Sequence, residues 1–80
     1  MRLRVFVTLK PGVLDPQGEA IRHALSGLGF DGVEGVRAGK VIDLDLTEDT
    51  PEQAEARATE MCEALLANTV IEDYRVERLG

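Results

Sequence analysis

The sequence predicts an α+β fold, a two-layer ferredoxin-like sandwich in the order β-α-β-β-α-β, with a four-stranded antiparallel sheet carrying two helices on one face. Three observations predict it. Four segments have apolar residues spaced for strands, two have apolar residues recurring at helical spacing, and each helical segment is preceded by a start signal, Asp15-Pro16 or Thr50-Pro51.

Leu3, Val5, Val7 and Leu9 alternate with Arg2, Arg4, Phe6, Thr8 and Lys10, so the first strand has one apolar face and one mixed face. Pro11 and Gly12 break it. Asp15 then stands as N-cap ahead of Pro16 at the first helical position, where the missing N–H costs nothing. Ala20, Ile21, Ala24, Leu25 and Leu28 form the stripe of the first helix, which ends at Gly29. Residues 33–38 are apolar enough for a second strand, with a bulge or an edge marked by Gly35 and by the opposite phases of Val33 and Val36.

Gly39 after Ala38 suits a tight hairpin into the third strand, where Ile42, Leu44 and Leu46 alternate with Val41, Asp43, Asp45 and Thr47. Thr50-Pro51-Glu52-Gln53 repeats the capping device, and Ala54, Ala58, Met61, Cys62 and Leu65 make the stripe of a second helix ending near Asn68. Residues 73–79 alternate again, with Tyr74 and Val76 on one side, as the fourth strand. No linker or low-complexity tract divides residues 1–80, which read as one domain. Right-handed crossovers put the first and third strands in the middle, flanked by the fourth and second. On the open face Arg4 and Thr8 then lie between Asp43 and Asp45 on one side and Arg75 and Glu77 on the other, with Phe6 among them.

A chain of 80 residues buries only roughly 60% of the surface its unfolded form exposes. A single cysteine and no metal-ligand spacing leave association with another chain as the common route to extra stability, so a homodimer or homotetramer is the expectation. Asp and Glu outnumber Lys and Arg by 15 to 9, and a formal charge of −6 argues against nucleic acid as a partner. The N-terminal segment alternates and carries no long apolar run, which predicts no signal peptide, no membrane span and a cytoplasmic location.

The candidates for chemistry are few. Cys62 falls on a helix stripe expected to be buried, and the single histidine, His23, lies on the other helix, so packing accounts for the thiol better than catalysis. Asp43 and Asp45 read as outward strand carboxylates, solvated or paired with arginine, rather than as a metal or acid-base pair. The loop Lys10-Pro11-Gly12-Val13-Leu14-Asp15-Pro16-Gln17-Gly18 is less generic, because capping explains only Asp15 and Pro16. Glycine at position 18 costs roughly 1 kcal/mol against alanine inside a helix, which hints that something approaches closely there.

This loop, running from Leu9 through Gly18 and followed by Ala24-Leu25, Leu28-Gly29, Val36-Arg37 and Gly39-Lys40, resembles the PurS family, the small subunit of phosphoribosylformylglycinamidine synthase. The likeness spans the chain in length and element order, and its specificity lies in the first forty residues. The resemblance implies a non-catalytic subunit of a ligase in de novo purine biosynthesis, bridging a glutaminase subunit and a large synthetase subunit. In such a complex ammonia from glutamine passes to the ATP-dependent conversion of formylglycinamide ribonucleotide to its amidine. It implies no catalytic residue, cofactor or metal on this chain, since ATP and glutamine are used by the complex. The residues that exceed structural need, Lys10, Gly12, Asp15, Gln17, Arg37 and Lys40, together with the exposed Phe6, are the candidates for partner contact.

A ferredoxin-like regulatory module that binds a small effector is the alternative, since one fold serves both. An acylphosphatase-like enzyme ranks last, because its first loop wants an arginine and this one offers Lys10 and Gly12.

Overall fold

The computed structural model describes residues 1–79. Strands β1 (Arg2–Leu9), β2 (Gly39–Asp45) and β3 (Glu72–Arg78) alternate with helices α1 (Pro16–Gly27) and α2 (Pro51–Met61), and α2 runs on into a π-helical turn, Cys62–Leu66. The sheet is antiparallel, in the order β2-β1-β3. These are the first, third and fourth strands of the sequence reading, with the expected neighbours. No helix among the described residues is long and apolar enough to cross a membrane.

The sheet has three strands rather than four. Residues 33–38 form no strand, because Gly35 and the phase break between Val33 and Val36 leave them without one continuous apolar face. The expected hairpin is absent with them. Gly39 instead opens β2 opposite Thr8, and the glycines with positive φ are Gly12, Gly29 and Gly32.

Only α2 covers the sheet. Leu3, Val5 and Val7 are buried completely or nearly so against Ala54, Ala58, Cys62 and Ala67, whose small side chains let the helix lie close to the strands. Thr50 caps α2, its Oγ1 accepting from the Gln53 N–H at 3.3 Å. In the π-helical turn the Ala67 N–H reaches the Cys62 carbonyl at 3.1 Å, and the wider turn changes which side chains face inward. Leu65, expected on the core stripe, is 84% exposed, while Leu66 and Ala67 take the core positions. The turn is tied to β3 by the Tyr74 hydroxyl, which donates to Glu63 at 2.7 Å.

Helix α1 departs further from expectation. Among the described residues it makes no extensive contact with the sheet or with α2, and its stripe is largely bare, with Leu28 75% exposed. The face it was expected to cover is taken by α2 and the π-helical turn. The molecule is correspondingly long, 49 × 26 × 14 Å, with a radius of gyration of 15.9 Å. A compact chain of this length would have one of about 12 Å.

Candidate partner-contact surface

The loop between β1 and α1 is built as a clasp. Gly12 takes φ +88°, a left-handed conformation that glycine adopts without a Cβ penalty, and the Val13 N–H closes the turn on the Lys10 carbonyl at 3.1 Å. The Arg37 guanidinium crosses over from the segment before β2 and donates to the Val13 and Lys10 carbonyls at 2.8 and 3.0 Å. Lys10 is held from the other side by its N–H on the Ile71 carbonyl at 2.8 Å and by an ion pair with Asp73 at 3.7 Å.

Asp15 completes the clasp. It is 6% exposed, and its two carboxylate oxygens accept from the Gly18 N–H at 2.8 Å and the Ala38 N–H at 2.7 Å. Those bonds, the Gly18 one foremost, hold its carboxyl below the usual carboxylate range against the opposing effect of burial. Gly18 answers the question its position raised: the group that approaches it is the Val36 carbonyl of its own chain, and a Cβ there would overlap it.

Five of the seven candidates, Lys10, Gly12, Asp15, Gln17 and Arg37, therefore gather at one end of the molecule. Lys40 joins them, opposite Val7 on β1, across an open depression of about 200 Å³ whose walls include Leu9, Gln17 and Glu72. Asp15 and the Arg37 guanidinium are spent on their own backbone, so they shape this end, while Gln17 and Lys40 are exposed on it.

Phe6 stands apart on the opposite, helix-free face of the sheet. The Arg75 guanidinium lies 4.3 Å above its ring and Val41 is its neighbour on β2. Around it the charges pair as the register expectation had them, Arg4 with Asp43 at 2.8 Å and Arg2 with Asp45 at 3.5 Å. This face is close to self-neutralised.

Sequence reasoning missed the surface that the fold leaves most open. Leu14, Ile21, Leu28 and Phe30 are all exposed along and beside α1, and they had been read in part as core. The signal that could have found them was the mismatch between two helical stripes and one short sheet, only one face of which is apolar. Cys62 is buried and His23 lies on the exposed arm, so the described surface brings no thiol and imidazole together.

A family model described as PurS, phosphoribosylformylglycinamidine (FGAM) synthase, matches residues 2–80. The chain belongs to the PurS family. It is similar to the phosphoribosylformylglycinamidine synthase subunit PurS of Bacillus subtilis, 49% identical over 76 residues, covering 95% of this chain and 89% of that one. The corresponding protein of Synechocystis is 50% identical over 74 residues, covering 92% of this chain and 74% of its own.

Solved PurS structures share the fold. A crystal form of B. subtilis PurS superposes with a TM-score of 0.84, covering 95% of this chain and 94% of that one at 49% identity. A chain of the PurLQS structure from Thermotoga maritima gives 0.88 at 33% identity, covering 98% of this chain and 95% of its own. PurS is a subunit of FGAM synthase, a ligase complex of purine biosynthesis, and the T. maritima structure is of such an assembly.

Proposed function

We propose that this chain is the small, non-catalytic subunit of phosphoribosylformylglycinamidine synthase in de novo purine biosynthesis, a cytoplasmic complex in which it bridges the glutaminase and synthetase subunits. The observation that carries this reading is the match to PurS over residues 2–80, joined to the likeness to a chain of the PurLQS assembly over nearly its whole length. Glutamine and ATP are used by the partner subunits, and no cofactor belongs to this chain. Ammonia released from glutamine is a nucleophile only while unprotonated, so its transfer calls for ordered, water-excluding contacts between the subunits.

The bare α1 arm supports self-association as a homodimer or homotetramer. Fully burying each large apolar side chain contributes roughly 1.5–3 kcal/mol, and Leu14, Ile21, Leu28 and Phe30 offer four. Gln17 and Lys40, exposed beside the clasp, and Phe6 on the open sheet face are the contacts assigned to other subunits, with Lys10 and Gly12 in the loop between them. Asp15 and Arg37 hold that surface in shape. The effector-binding alternative is disfavoured by the depression at the clasp, which at about 200 Å³ is smaller than the roughly 300–1,000 Å³ typical of ligand pockets.

The test is glutamine-dependent amidine formation from formylglycinamide ribonucleotide and ATP by the glutaminase and synthetase subunits, with and without this chain. Activity and co-migration of the three chains that both require it support the bridging role. If neither changes, the reading fails.

A further inference from the structure

We infer that the Asp15–Arg37 clasp sets the direction in which α1 leaves the sheet, and that this fixed direction is what a second copy of the chain must find in order to associate. The inference rests on the reading that the α1 stripe carries self-association. A helix that packs on its own core is oriented by that core, but α1 makes no extensive contact with the sheet or with α2 among the described residues. Its orientation has to come from its N-terminal attachments.

Four attachments converge there, all joining residues 10–18 to residues 36–38. Arg37 donates to the carbonyls of Lys10 and Val13, Asp15 accepts from Ala38 as well as from Gly18, and the Val36 carbonyl fills the space where Gly18 lacks a Cβ. Residues 36–38 lead directly into β2, which is paired with β1 along its whole length. The clasp therefore ties the first turn of α1 to the sheet, and cutting it leaves the helix attached only through its flanking loops. A surface presented in one orientation binds without first selecting it, and if the competent orientation falls to a tenth of the ensemble the apparent dissociation constant rises about tenfold.

Arg37→Gln removes the guanidinium while leaving the Asp15 cap and the core untouched. Spin labels on Ser26→Cys and Glu60→Cys, both exposed sites, report the angle between α1 and α2, and Cys62 is too buried to label. Measurement in an excess of unlabelled protein keeps the distances within one chain. The expected result is a narrow distance distribution in the parent, a broad one in Arg37→Gln with unchanged helix content, and self-association weakened about tenfold in sedimentation, with Arg37→Lys recovering part of both. A narrow distribution in Arg37→Gln, or undiminished association beside a broad one, overturns the clasp proposal. Leu28→Glu separates the two levels: if it also associates normally, the reading of α1 as the association surface is what fails, and the proposal falls with it.

Discussion

A methyl group at Gly18 would overlap the carbonyl oxygen of Val36, so the first turn of α1 and the segment before β2 touch at a point where only glycine leaves room. In an open helix Gly→Ala stabilises by roughly 1 kcal/mol, but here the obstructing atom belongs to the backbone and overpacking of this kind costs about 1–3 kcal/mol. Gly18→Ala is expected to lower the denaturation midpoint. An increase would show that the two segments are not in contact.

Leu3 is fully buried between β1 and α2, against Ala54 and Ala58. Leu3→Ala is expected to cost about 2–5 kcal/mol, a large share of what so small a core supplies. Each kcal/mol lowers the Tm of a domain this size by about 4–8 °C, so calorimetry reads the loss directly.

Thr50→Ala removes the hydroxyl that receives the Gln53 N–H at the start of α2. Cap substitutions cost about 0.5–2 kcal/mol, and the 3.3 Å length of this bond places the expected loss at the lower end. Thr50→Ser, which keeps the acceptor, is expected to recover most of it in chemical denaturation.

Acid should destabilise the protein. The carboxyls of Asp15, Asp43 and Glu55 are held below their ordinary range, Asp15 by the Gly18 and Ala38 N–H groups, Asp43 by Arg4 and Glu55 by Arg78. A depressed carboxyl stabilises the folded state above its unfolded pKa, and that contribution is lost as pH falls through the folded value. The urea midpoint is therefore expected to hold from pH 7 to about 5 and to fall below about pH 4, with a shallower fall in Asp15→Asn.

Cys62 has no exposed surface and burial pushes its thiol pKa up, so thiolate reagents are expected to label it only through opening of the π-helical turn or of the whole domain. Labelling should accelerate in step with the loss of secondary structure in urea. Fast modification of the native protein would show that the turn opens locally.

The sequence made legible whatever depended on local pattern. Alternation located β1, β2 and β3, the Asp15-Pro16 and Thr50-Pro51 pairs located both helix starts, and the pairing of Arg4 with Asp43 followed from strand order alone. Two features were not legible. An amphipathic stripe says that a helix must be covered but not by what, so Ile21 and Leu28 read as core although their own sheet does not reach them. Helical periodicity likewise assumes an unbroken α-helix, and one π-helical turn carried Leu65 out of phase and put Ala67 in its place. At the clasp the sequence gained more ground, because the glycine cost at position 18 and the surplus residues of the loop pointed to a close contact, though the neighbour proved to be Val36 of the same chain.

The length of the body, 49 Å against a thickness of 14 Å, bears on how its stoichiometry can be counted. Frictional drag follows shape as well as mass, and a particle drawn out in this way elutes from a sizing column ahead of a sphere of equal weight. Calibration against round standards would assign the free protein a subunit too many. Light scattering, which weighs the particle whatever its outline, is the measurement from which a copy number can be read.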